Sequence, residues 1–212
     1  MKLRFPAFLL VAALAFGIFC GRAQALQAVN PSAFVNQLVS QAIGIIVDKQ
    51  ASNQERDTKF RTLLQTSFDI PRISRFVLGR YWNGATEQQR QQFGQLFEDW
   101  IVRTYSAQFK SYGGETIQVT GTRPESDVTT VVLSQFVNTK GAPPAKVEWH
   151  VRKNGANDYE VVDVSVEGVS MALTQRDEIA AVADRSGGTI AGLTQAMQQK
   201  IQNAGAESPA GK

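Results

Sequence analysis

Two hydrophobic rhythms divide this chain. Apolar positions recur every third or fourth residue through its first half, every second residue from 117 to 166, and helically again from about 174. The first rhythm predicts four helices. One begins near Ser32, after Pro31, with Phe34, Val35, Leu38, Ala42, Ile43 and Ile46 on a single face. A second opens at Ser52, where Ser52 and Glu55 have the spacing of a capping box, and carries Phe60, Leu63 and Leu64. A third, short helix runs from Pro71 to Leu78 and stops at Gly79. Thr86 and Gln89 cap a long fourth, whose stripe is Phe93, Leu96, Phe97, Trp100, Ile101, Tyr105 and Phe109.

After Gly113-Gly114 the alternation predicts strands. Ile117 and Val119 mark the first and Val128 to Val137 the second. Val147, Trp149 and Val151 alternate with Glu148, His150 and Arg152 in the third. Asn154-Gly155 suits the turn into a fourth, Tyr159 to Val166, in which Val162, Val164 and Val166 are expected on one face and Asp163, Ser165 and Glu167 on the other. Two closing helices follow, from about Thr174 to Arg185 and from Thr189 through Ile190, Leu193, Met197 and Ile201. Helices, then strands, then helices predict an α+β domain, with a curved, roughly four-stranded antiparallel sheet that has one apolar face.

The N-terminus changes the picture of charge and compartment. Lys2 and Arg4, an apolar run from Phe5 to Phe19, and Ala23-Gln24-Ala25 form a signal-peptide pattern with cleavage expected after Ala25. The run is shorter than the ~20 residues that span a bilayer. The expected organisation is therefore a leader at 1–25, one domain at 26–203 and a loose Gly/Ala/Ser/Pro tail at 204–212. Three of the 22 basic residues, Lys2, Arg4 and Arg22, lie in the leader, which holds no acid, so the remainder balances 19 basic against 19 acidic side chains. That balance argues against a nucleic-acid binder. Cys20, the one cysteine, leaves with the leader; Phe19 before it is not the small residue that precedes a lipidated cysteine. No disulfide, thiol nucleophile or cysteine-ligated metal is expected.

Candidate chemistry is sparse. The single histidine, His150, falls on the polar side of its strand, and no G-x-S-x-G elbow or phosphate-binding glycine loop occurs. Asp163 is the best-placed acid for general-base work, yet alternation puts it opposite the valines. No catalytic residue, metal or cofactor is expected. What abounds is apolar surface, a valine-rich sheet face and an aromatic helix face. Pressed together they make an ordinary core, as in an adaptor that works through its surface. Held apart they make a slot for a lipid. The pattern is compatible with both.

Two sets of segments carry a resemblance. One is Phe68-Asp69-Ile70-Pro71 with Arg75-Phe76-Val77-Leu78-Gly79-Arg80-Tyr81-Trp82 and the helix that follows to Tyr105. The other is Val162-Asp163-Val164-Ser165-Val166-Glu167-Gly168-Val169-Ser170 with Thr174-Gln175-Arg176. In order and spacing they resemble the MlaC-like toluene-tolerance family, from roughly Ser32 to Ile201. Gly79 to Trp82 and Glu167 to Arg176 also resemble the branch associated with hopanoid biosynthesis, usually called HpnM.

The resemblance implies a cone-like fold of the nuclear transport factor 2 kind, with an apolar cavity between sheet and helices. It implies a non-catalytic, monomeric periplasmic carrier of phospholipid or hopanoid. Such a carrier serves an inner-membrane ABC transporter complex and an outer-membrane lipoprotein complex, with a bearing on toluene tolerance and outer-membrane lipid asymmetry. For such a carrier the alternation nominates Val147, Trp149, Val151, Val162, Val164 and Val166 as the sheet wall. The helical stripe nominates Phe76, Phe93, Phe97, Trp100, Ile101 and Tyr105. Val169, Met171 and Leu173 are expected at the mouth, and Arg75 and Arg176 as head-group or partner contacts. The competing reading is a small-molecule enzyme on the same cone, with Asp163 or His150 on its floor.

Overall fold

The computed structural model describes residues 30–137, 141, 143–155 and 158–206; the expected leader and cleavage site lie outside them. Six α-helices and a five-stranded antiparallel sheet follow one another as α1 (Pro31–Val47), α2 (Asn53–Ser67), α3 (Ile70–Leu78), α4 (Glu87–Ser106), β1 (Thr116–Pro124), β2 (Thr129–Val137), β3 (Ala145–Lys153), β4 (Tyr159–Val166), β5 (Val169–Ser170), α5 (Met171–Arg185) and α6 (Ile190–Ala206). The strands pair in simple chain order.

The helix starts follow the capping chemistry. The Ser52 amide donates to Glu55 Oε2 at 2.7 Å while the Glu55 amide donates to Ser52 Oγ at 3.2 Å. Thr86 and Gln89 repeat the exchange at 2.9 and 3.2 Å. Each box satisfies two amides that a helix start would leave orphaned. Gly79 ends α3 at φ 55, ψ −122, a backbone conformation open mainly to glycine. Phe109, expected at the end of the α4 stripe, falls instead in a 3₁₀ turn, Ala107–Ser111, where its ring meets Phe60 edge-on at 5.1 Å.

Three features depart from the alternation. First, β4 is bulged. Val151 pairs with Val161 but His150 pairs with Asp163, leaving Val162 as the extra residue. Val164 and Val166 still stand opposite Trp149 and Val147, but the fully buried partner of Val151 is Val161. The expected face of Val162, Val164 and Val166 is corrected accordingly. Second, Glu167 (φ 51) and Gly168 (φ 79) form a tight left-handed turn that folds Val169–Ser170 back as a fifth strand. Third, α5 begins at Met171, three residues before the expected start, because the Ser170 hydroxyl caps it by accepting from the Leu173 amide. At the far end, α6 extends through Ala206, into the span expected as tail.

Two apolar clusters hold the molecule together. One packs Phe34, Val35, Leu38 and Leu63 of α1 and α2 against Val132, Val147, Trp149, Val151 and Val161 of the sheet. The other packs Val77, Leu78, Phe93, Phe97, Ile179, Leu193 and Met197 of α3 to α6. Between them the packing opens.

Candidate functional site: an apolar cavity between sheet and helices

A cavity of about 430 Å³ lies between the two clusters. Close-packed interiors hold few voids larger than a water molecule. At about 24 cal/mol per Å³, sealing an unfilled apolar space of this size into a core would cost on the order of 10 kcal/mol, comparable to the whole stability of a domain. The volume instead falls in the ~300–1,000 Å³ range of small-molecule sites.

Its walls follow from the elements. Helix α1 contributes Leu38, Val39, Ala42, Ile43 and Ile46, the continuation of the face that buries Phe34 and Val35. Helices α2 and α3 add Phe60, Leu63, Leu64, Ile70 and Ile73, with Phe68 from the junction between them. Phe97, Ile101 and Tyr105 come from α4, one turn apart along one stripe. The sheet supplies Ile117, Phe136, Trp149, Val164 and Val166, and Val162 enters through the bulge. Met171, Ala172 and Gln175 of α5 close the remaining side.

Polar groups on the wall are few and engaged. The Trp149 indole Nε1 donates to Ser134 Oγ at 3.0 Å, and that hydroxyl donates to the Val147 carbonyl at 2.9 Å. Gln175 Oε1 accepts from Trp100 Nε1 at 3.2 Å. Burial, with the charge of Glu178 adding, pushes the Tyr105 phenol above its ordinary pKa, so it stays neutral. Asp163 does reach the cavity, but as a strut. Its carboxylate accepts from the Val164 amide at 2.8 Å, the Ala172 amide at 3.0 Å and the Ser170 hydroxyl at 2.5 Å, tying β4 to the start of α5. His150 lies off the cavity wall, with Nδ1 2.9 Å from Glu125 Oε1. No group of three or more His, Cys, Asp or Glu suited to a metal occurs among the described residues.

The structure therefore sorts the expected wall residues. Trp149, Val162, Val164, Val166, Phe97, Ile101, Tyr105 and Met171 line the cavity. Val147 and Val151 are buried in the sheet cluster and Phe93 in the helical one, with Trp100 packed against the latter; all four lie behind the wall. Phe76 is 42% exposed, Val169 59% and Leu173 49%, all outside the cavity. Helices α1 and α2 form a whole side that the strand and stripe reasoning did not nominate. No periodic signal sets them apart: the α1 stripe runs unbroken from Phe34 to Ile46, and its Ala42, Ile43 and Ile45 also pack against the sheet cluster.

Arg75 and Arg176 meet beside the cavity. With Arg72, Ile73, Phe76, Gly79, Val162, Asp163 and Ala172 they line an open recess of about 560 Å³ between α3 and α5. The Arg176 guanidinium stacks 5.1 Å over Phe76 and Arg75 lies 5.8 Å over Trp82. A Cβ on Gly79 would come within 3.0 Å of Arg176 Nε. The positive φ favours glycine there, and a side chain would also make the Arg176 guanidinium give by a few tenths of an ångström.

Comparison with known proteins agrees with this architecture. The phospholipid-binding protein from Ralstonia solanacearum, solved in complex with a phospholipid, superposes with a TM-score of 0.68 at 24% identity, covering 82% of this chain and 97% of that one. The intermembrane phospholipid transport system binding protein MlaC of Haemophilus influenzae is 21% identical over 153 residues, 69% of this chain and 72% of that protein. The family model for the MlaC protein matches residues 36–199. With most of its length matched in one continuous span, the chain belongs to the MlaC family.

Proposed function

We propose that this protein is a non-catalytic carrier that holds phospholipid acyl chains in the cavity between α1, α2, α4 and the sheet. One observation carries the reading, the 430 Å³ space walled almost wholly by carbon. Each methylene kept from water is worth ~0.8 kcal/mol, so a sixteen-carbon chain represents about 13 kcal/mol. A free lipid therefore crosses water slowly, and a carrier has to offer a dry wall of similar quality. It needs no nucleophile. The polar atoms here are committed to structure, Asp163 to three donors and Gln175 to Trp100.

The leader pattern of residues 1–25 supports export to the periplasm with cleavage after Ala25. Family membership, and the Haemophilus relative's name, support work as the binding component of a phospholipid transport system, which we take to be of the ABC type. In that role it would shuttle phospholipid between an outer-membrane lipoprotein complex and an inner-membrane transporter.

The test is transfer between membranes. Mature protein mixed with donor vesicles carrying a chain-labelled phospholipid and unlabelled acceptor vesicles is expected to speed label exchange in proportion to protein concentration. Exchange at the protein-free rate would refute the reading. Exchange of a hopanoid in place of phospholipid would move the assignment to the hopanoid-associated branch.

A further inference from the structure

The cavity is smaller than the cargo the carrier reading gives it. An apolar hole of ~150 Å³ takes up one benzene, so each enclosed carbon needs roughly 25 Å³. By that measure 430 Å³ shelters about seventeen carbons, one long acyl chain and not the pair that a phospholipid bears. A lipid with two chains enters whole only if the walls part.

The packing shows where they part most cheaply. Leu63 of α2 belongs to the cluster built on the sheet, whereas Phe93, Leu96 and Phe97 of α4 belong to the helical cluster. Moving α2 away from α4 opens the cavity along a seam between the two clusters and breaks into neither. Elsewhere the clusters stay tied. The Asp163 carboxylate fastens β4 to the start of α5, whose Ile179 packs in the helical cluster.

The seam is shut from outside by a polar clasp. Arg61 and Gln65 stand one turn apart on α2, beside the cavity residues Phe60 and Leu64. Glu98 and Asp99 follow the cavity residue Phe97 on α4. The Arg61 guanidinium donates to Glu98 Oε1 at 2.6 Å and to Asp99 Oδ1 at 2.7 Å. Gln65 Nε2 donates to the same Glu98 oxygen at 2.9 Å. A ring contact, Phe60 on Phe109, spans the seam as well. None of the four clasp side chains lines the cavity. Their ion pairs are partly open to water, with Arg61 33%, Glu98 15% and Asp99 42% exposed. Such pairs are individually weak and are weakened further by salt. A fastening of this kind keeps the seam closed at rest and yields to the larger gain of burying a second chain.

We infer that the clasp of Arg61, Gln65, Glu98 and Asp99 sets how many acyl chains the carrier encloses. Fastened, it leaves room for one, and a two-chain lipid is taken up whole only when α2 moves away from α4. The inference rests on the carrier reading above and adds a selectivity for chain number, held by residues outside the cavity wall.

Two labelled probes with one head group test it, dioleoyl phosphatidylcholine and the lysophosphatidylcholine that keeps one of those chains. Each is presented to delipidated mature protein in the same detergent micelles, and the rate of loading is followed by retained label. Arg61→Gln removes both ion pairs. It is expected to speed loading of the two-chain probe about three- to fivefold and to leave the one-chain probe within about twofold. For the wild type, raising salt from about 20 mM to about 500 mM is expected to increase the two-chain rate relative to the one-chain rate, and Arg61→Gln is expected to lose that response. A wild-type ratio indifferent to salt, a reading that needs no variant to fold, would overturn the inference while leaving the carrier standing. So would an Arg61→Gln variant that speeds both probes alike, the mark of general loosening, or one that changes neither. Loading of neither probe by the wild type would overturn the carrier reading and the inference with it.

Discussion

Trp149 stands on the middle of the sheet with Val132 on one side and Val164 on the other, and its indole nitrogen reaches across to Ser134 Oγ at 3.0 Å. One large ring thus belongs at once to the sheet cluster and to the cavity wall. A single buried hydroxyl holds its orientation.

That bond gives a first prediction. Ser134 is 3% exposed, so Ser134→Ala leaves the indole N–H unpaired in a dry environment. The expected loss is about 1–3 kcal/mol in urea unfolding. Ser134→Thr, which keeps the hydroxyl, is expected to recover part of it.

A second prediction concerns the wall. Ala42 faces the cavity from α1, and Ala42→Phe would fill the space a chain needs. Stability of the delipidated protein is expected to hold or to rise by about 0.5–2 kcal/mol, as for other cavity-filling changes. Lipid recovered per mole of protein is expected to fall sharply. A variant that both folds and keeps its lipid would show that the chains lie elsewhere.

Charge on the wall should act similarly. Val164→Glu sets a carboxylate against the cavity, whereas Val128→Glu places one on an exposed turn 44% open to solvent. The first is expected to lose bound lipid and the second to keep it, measured by extraction from protein of matched circular dichroism.

These wall residues mark how far the pattern could be read. Six helices, the two capping boxes and four strands were legible because each leaves a local signature, such as Ser52 with Glu55 or the alternation around Trp149. The bulge was not. Val161 and Val162 are chemically alike, and only pairing with β3 decides that Val161 is core and Val162 the inserted residue. The start of α5 was missed for a related reason. Ser170 caps it, but Asp163, seven residues earlier, fastens that cap, and a contact made through a folded turn leaves no periodic trace. The contribution of α1 and α2 to the cavity was invisible because an apolar stripe reads the same whether it meets another side chain or open space.

A pH prediction follows from Asp184. Hydrogen bonds from the Tyr81 hydroxyl and then from Arg80 hold its carboxyl below the ordinary value of 3.8. A carboxylate whose folded pKa is depressed stabilises the fold above its unfolded pKa, and that contribution disappears as pH falls through the folded value. The difference in melting temperature between wild type and Asp184→Asn is therefore expected at neutral pH and should vanish well below pH 3.8. The pair is exposed, so the difference should also shrink in high salt.

The central claim is that the cavity carries a lipid in the cell. Native mass spectrometry of the protein purified from cell envelopes without added detergent tests it most directly. A major species heavier than the mature polypeptide by one lipid, released on activation and recovered in organic extracts as a phosphate-bearing lipid, is the predicted result. A bare polypeptide mass in repeated preparations, with nothing extractable, would contradict it.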